Sequence, residues 1–125
     1  MQITKIFLIL GSINALLAVL LGAFGAHSLK TRIDAAMLDV YQTAVQYHIY
    51  HALGLMIVGI VTFQNLPTFW LKTSGWLMFA GIILFSGSLY ILSITQIRWF
   101  GAITPLGGLA LILAWLCLGI GIIRQ

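Results

Sequence analysis

Residues 6–26 read IFLILGSINALLAVLLGAFGA, an apolar run without a single charged residue. As a helix such a run covers about 31 Å, which matches a hydrocarbon core of ~30 Å. It is longer than the roughly 7–15-residue apolar stretch of a cleaved signal, so it reads as a retained membrane span. Within it Gly11, Ala15, Ala18, Gly22 and Gly25 fall near one helical line. That is the small-residue face through which helices approach closely in lipid. Asn14 lies at its edge, placed to bond across to a neighbour.

Three further runs follow, and the expected spans are about residues 6–27, 35–63, 74–94 and 103–123. The second has an apolar half starting near His48, preceded by a helical lead-in, residues 35–47, free of Gly and Pro. Pro67 is expected to break the chain between the second and third spans, while Trp70, Trp76 and Trp99 lie near interfaces. In the third span Ser74, Gly81, Ser88 and Thr95 recur at heptad spacing; in the fourth Gly107, Ala110, Ala114 and Gly121 share a face. This spacing predicts a left-handed, antiparallel bundle of four transmembrane helices. Thr104 is the expected N-cap of the fourth helix, with Pro105 in its first turn.

Composition agrees with this reading. Of 125 residues 62% are hydrophobic and only 6% charged, and the mean hydropathy is +1.12. A soluble domain carries about 25% charged residues. One all-α integral membrane domain therefore accounts for residues 1–125. The net charge of +4 comes from basic residues at the ends of apolar runs: Lys5, Lys30, Arg32, Lys72, Arg98 and Arg124. They are interface anchors rather than a stripe for a phosphate backbone, which excludes nucleic acid as a partner. The lone Cys117 excludes a disulfide within the chain. Basic residues divide evenly between the two sides, but Asp34 and Asp39 dilute the first loop. Both termini are expected on the cytoplasmic side of the bacterial inner (plasma) membrane.

The most polar segment runs from Asp39 to His51. On a helical wheel Asp39, Gln42, Thr43, Gln46 and Tyr50 form one stripe, with Tyr47 beside it, His51 further round and His48 opposite. The stripe is expected either as an interfacial helix face touching headgroups and the first loop, or, together with His27 at the end of the first span, Tyr47 and His51, as a polar pocket. His27 and His51 are expected near one membrane face, tying the first two helices by hydrogen bonds with no metal between them. A structural zinc site takes four N or S ligands, and the chain offers three histidines and a cysteine far from them in sequence, with no H-E-x-x-H or C-x-x-C. No carboxylate occupies a span centre, so no catalytic residue is assigned. Every span centre reads as neutral, which disfavours proton-coupled transport.

Four ordered strings carry a resemblance across nearly the whole chain. They are Gly22-Ala23-Phe24-Gly25-Ala26-His27, the segment ending Tyr50-His51-Ala52-Leu53, Gly87-Ser88-Leu89-Tyr90, and Thr104-Pro105-Leu106-Gly107-Gly108 followed by Trp115. They resemble the domain-of-unknown-function-423 family, the YgdD/YwdK-like small bacterial membrane proteins with eukaryotic relatives of the transmembrane-protein-256 type. The resemblance implies four spans and no assigned reaction. The family pattern commonly has Tyr-Gln where this chain has Tyr47-His48, which shifts weight from His48 to His27 and His51. The leading expectation is a non-enzymatic membrane protein, without cofactor, that serves binding or assembly. Its partners would be membrane lipids and a second copy or a larger membrane complex. The alternative is a small transporter or a lipid- or small-molecule-binding protein; a distant one is a haem or metal protein.

Overall fold

The computed structural model describes residues 2–64 and 68–125. The expected breaker Pro67 lies outside them. Four helices are each long and apolar enough to cross a membrane: α1 (Gln2–Leu29), α2 (Ala35–Gln64), α3 (Phe69–Thr95) and α4 (Phe100–Ile123). No strand occurs among the described residues. α1 is α-helical to Phe24 and ends in a wide π-helical turn, Gly25–Leu29. α3 carries a second π-helical stretch in its middle, Ile82–Gly87.

Local chemistry sets the ends. The Asp34 carboxylate accepts the Met37 amide at 2.8 Å and starts α2. The Thr68 hydroxyl accepts the Leu71 amide at 3.4 Å, so α3 starts more than a turn ahead of the expected Ser74. α3 stops at Gln96, which takes a left-handed backbone with φ 59° and donates its amide to the Leu92 carbonyl at 2.8 Å. α4 starts at Phe100, a turn earlier than expected, which places Pro105 inside the helix. Thr104 therefore caps nothing; its hydroxyl reaches the Phe100 carbonyl at 3.3 Å and pairs with Ser88 at 2.7 Å. Pro105 strips the Gly101 carbonyl of a helical donor, a loss tolerated close to a helix start.

Neighbouring helices run antiparallel in a regular register. Between α1 and α2, Thr4 bonds Thr62 at 3.1 Å, Gly11 lies on Ala52 and Met56, Gly22 on Val45, and Gly25 on Tyr41. Between α3 and α4, Gly121 lies on Leu71, the Ser74 hydroxyl donates to the Ala114 carbonyl at 2.7 Å, and Leu111 fills the notch at Gly81. Gly107 lies on the Phe85 backbone. Ala18 is buried in the α1 face, whereas Ala15 and Ala110 are half-buried. Thr95, last of the heptad series, is exposed and bonds its own Ile91 carbonyl at 2.7 Å.

The two hairpins join through α2 and α3. The Ser86 hydroxyl donates to the Ala44 carbonyl at 2.8 Å, and Met78 fills the notch at Gly54. Phe7 of α1 reaches over Gly75 of α3, and Trp115 of α4 reaches over Gly54 of α2. The α1 and α4 backbones do not approach one another among the described residues. The arrangement is a skewed rhombus with α2 and α3 on its short diagonal.

Close approach makes one prediction on a single helix. A Cβ at Gly107 would overlap the Phe85 backbone nitrogen and lie 2.7 Å from the Leu84 carbonyl carbon, whereas one at Gly119 meets nothing within 4 Å. In detergent unfolding, Gly107→Ala is expected to cost about 1–3 kcal/mol or more, because backbone rather than a flexible side chain has to move. Gly119→Ala should be neutral or stabilising by up to about 1 kcal/mol. Equal responses would contradict the packing.

Candidate functional site

α2 and α3 each touch all three other helices, so polar groups on their inner faces must find partners in the protein. α2 has 30 residues and is about 45 Å long. His48 lies about 20 Å from its start and faces Asn14, itself near the middle of α1. This placement corrects the expectation that no span centre holds an ionisable group, although the imidazole there is neutral. The apolar run beginning at His48 is only the second half of a helix that crosses from Ala35, so His48 and His51 both lie at mid-depth.

His48 is 4% exposed and links three helices. Its Nε2 is 3.0 Å from the Asn14 Oδ1, and its Nδ1 is 3.0 Å from the Tyr90 hydroxyl. The Asn14 Nδ2 donates to the Leu10 carbonyl at 2.8 Å, which fixes the amide with its oxygen toward His48. The Asn14 oxygen only accepts, so the His48 Nε2 carries the proton and its Nδ1 accepts from Tyr90. Bonds therefore run in one direction, from Tyr90 through His48 and Asn14 to Leu10. The Tyr90 ring stands edge-on to His48 at 5.8 Å and to Tyr41 at 5.3 Å. Tyr41 donates its hydroxyl to the Leu21 carbonyl of α1. Asn14, His48, Ser86, Gly87 and Tyr90 line a groove of about 240 Å³ between α1 and α3.

His51, one turn further, points elsewhere. It is 6% exposed and donates its Nδ1–H to the Tyr47 carbonyl at 2.7 Å. Its ring stacks with Tyr47 at 5.9 Å and stands edge-on to Trp115 of α4 at 5.9 Å. With Phe85, Gly108, Leu111 and Ile112 these three rings line a groove of about 370 Å³.

The expected polar pocket does not form as a unit. Asp39, Gln42, Thr43, Gln46, Tyr47 and Tyr50 are exposed, because α1 and α3 pack on the opposite face of α2. Gln46 donates to the Tyr50 hydroxyl at 2.8 Å, and Thr43 to the Asp39 carbonyl at 3.0 Å. Gln42 and Gln46 share a shallow cleft of about 180 Å³ with Gly22, Gly25 and Tyr41. His27 is exposed in the π turn and makes no side-chain hydrogen bond among the described residues. It does not join His51. Gly25 lies on Tyr41, so His51 is about 18 Å further along α2 than the residues opposite His27. Among the described residues, side-chain bonds join the first two helices at three other places: Thr4 to Thr62, Asn14 to His48, and Tyr41 to the Leu21 carbonyl. The Asn14–His48 bond is the one at the middle of both helices. Its signal was present in the sequence: Asn14 on the packing face of α1, and His48 on the face of α2 away from the stripe. No group of three or more His, Cys, Asp or Glu side chains capable of holding a metal occurs among the described residues.

Four membrane-crossing helices with short connections, joined by polar side chains at mid-depth, define a small polytopic helical membrane protein. The chain belongs to the family described as Protein of unknown function (DUF423), whose model matches residues 21–108. It is similar to the UPF0382 membrane protein YwdK of Bacillus subtilis, 57% identical over 120 residues, which are 96% of this chain and 98% of that one. The UPF0382 membrane protein SSP2132 of Staphylococcus saprophyticus is 50% identical over 118 residues, 94% of this chain and 96% of that one. No solved structure matches the chain.

The triad geometry sets a coupling. His48→Leu and Tyr90→Phe, alone and combined, should show an interaction energy of about 0.5–1.5 kcal/mol in unfolding from detergent. His27→Gln should stay within about 0.5 kcal/mol of the parent, as an exposed position does. Additivity of the first pair would show that the bond contributes nothing.

Proposed function

We propose that this chain is a non-enzymatic subunit that assembles with further copies of itself in the bacterial plasma membrane, its termini cytoplasmic. One observation carries the reading: the exposed polar stripe of α2 continues to mid-depth. Tyr50 is 52% exposed, and it lies two residues from His48, which faces the middle of α1. The Gln46–Tyr50 bond uses one of the two amide N–H groups of Gln46. The second N–H, a carbonyl oxygen and the phenolic O–H are left facing out. Hydrocarbon offers them nothing, and an exposed amide at that depth is costly.

A second copy answers this demand better than lipid tails. Gln42, Gln46 and Tyr50 recur four residues apart on one face, and each both donates and accepts. Such a face is complementary to itself about a twofold axis. The cleft of about 180 Å³ beside it, walled by Gly22, Gly25 and Ala26, lets a partner helix come close. No carboxylate takes part in the mid-depth polar cluster, and this supports a binding rather than a catalytic role.

Native mass spectrometry from a gentle detergent, or exchange of labelled copies in bilayers, tests the proposal. The 13.7 kDa chain is expected as a dimer or higher multiple. Gln42→Leu/Gln46→Leu should weaken association about tenfold, which is two interhelical bonds of roughly 0.6 kcal/mol each. A monomeric parent protein, or one found only with a different protein, would overturn it.

A further inference from the structure

The groove between α2, α3 and α4 holds a polar atom without a partner. His51 is 94% buried, and its Nδ1–H is committed to the Tyr47 carbonyl. A carbonyl oxygen only accepts, so in the neutral ring Nδ1 is the protonated nitrogen and Nε2 presents a lone pair. Nε2 has no hydrogen-bond partner among the described residues, yet no buried side-chain nitrogen or oxygen lies sealed off without one. Nε2 therefore opens to the surface, and the groove that His51 lines is where it opens.

The walls say what fits there. Tyr47 lies nearly parallel to the imidazole, tilted by 19°, and Trp115 stands across it at 62°. Phe85 closes on Tyr47 at 4.5 Å. Three aromatic side chains around an apolar floor favour a flat ring over a flexible chain. The volume of about 370 Å³ lies within the range of small-molecule sites, roughly 300–1,000 Å³. Entry is sideways from the membrane, since Ile112 and Trp115 on its rim are exposed on the outer face of α4.

We infer that this groove binds a lipid-soluble aromatic alcohol, a phenol or hydroquinone ring, whose hydroxyl donates to the His51 Nε2. The site reads the presence of an O–H: a donor completes Nε2, an ether offers nothing, and a quinone carbonyl sets a second acceptor against it. A site built around one buried hydrogen bond rejects analogues that lack the matching group, because the partner is then stranded. This inference is independent of self-assembly, which rests on the other polar face of α2.

The test uses the full chain in lipid nanodiscs, with empty nanodiscs as the reference for partitioning. Three probes share one isoprenyl-substituted ring: the hydroquinone kept reduced, its quinone and its dimethyl ether. Binding is followed by tryptophan fluorescence and checked by equilibrium dialysis. The parent protein is expected to bind the hydroquinone at least about tenfold more tightly than the other two. His51→Phe should erase that preference. Gly108→Leu should weaken all three while leaving His51 intact, since a Cβ there lies 3.6 Å from Phe85, an ordinary contact. Equal binding of the three probes by the parent, binding of none, or a preference that survives His51→Phe would each overturn the inference.

Discussion

Hydrocarbon contains nothing that hydrogen-bonds, so every polar atom a helix carries into the membrane must be met by protein. α2 carries more of them than the other helices, and the fold is arranged around it. Asn14 from α1 and Tyr90 from α3 converge on His48, and Ser86 of α3 covers the Ala44 carbonyl. Among the described residues every fully enclosed side-chain nitrogen or oxygen has a partner, and the His51 Nε2, which has none, opens to its groove. Placing the most polar helix at an edge would have left those groups in lipid. The central position of α2 follows from its chemistry.

The remaining contacts are close packing rather than polar pairing. Apolar side chains gain little by leaving lipid for one another, so backbone approach at small residues does the joining. Gly11, Gly25 and Gly107 supply it within the hairpins, and Gly54 and Gly75 receive Trp115 and Phe7 between them. Large side chains seated in glycine notches, with α1 and α4 held apart, leave a lateral groove on each of the two open sides, α1–α3 and α2–α4. His48 and His51, three residues apart on α2, look into different grooves.

Much of this was legible in the residues. Apolar run length fixes four spans, and the small-residue face of α1 is visible on a helical wheel. The wheel also places His48 away from the polar stripe. It does not say which face the neighbours take, and that decides whether a polar residue is a buried link or an exposed surface. Family resemblance drew attention to His27 and His51 because they match a pattern, yet His48, which departs from it, makes the link between three helices. Hydropathy alone marks only the second half of α2, since Asp39, Gln42 and Gln46 mask the first; the lead-in free of Gly and Pro is what extends the span back to Ala35. Pro105 suggested a helix start where α4 had already begun. The π turns at Gly25–Leu29 and Ile82–Gly87 have no signature in residue spacing.

The antiparallel pairing of α1 with α2, and of α3 with α4, has a consequence for how the two halves of the protein meet. The bonds that close the first hairpin, Thr4–Thr62 and Asn14–His48, lie wholly within α1 and α2 and need nothing from α3. Within that hairpin the His48 Nδ1 has no partner, and the one it takes, the Tyr90 hydroxyl, belongs to α3. The first hairpin thus has an unmet need on one side only, and the partners that fill it, Ser86 and Tyr90, lie together on α3. The first hairpin becomes a guide to docking: the second meets a surface that rewards one face and one depth.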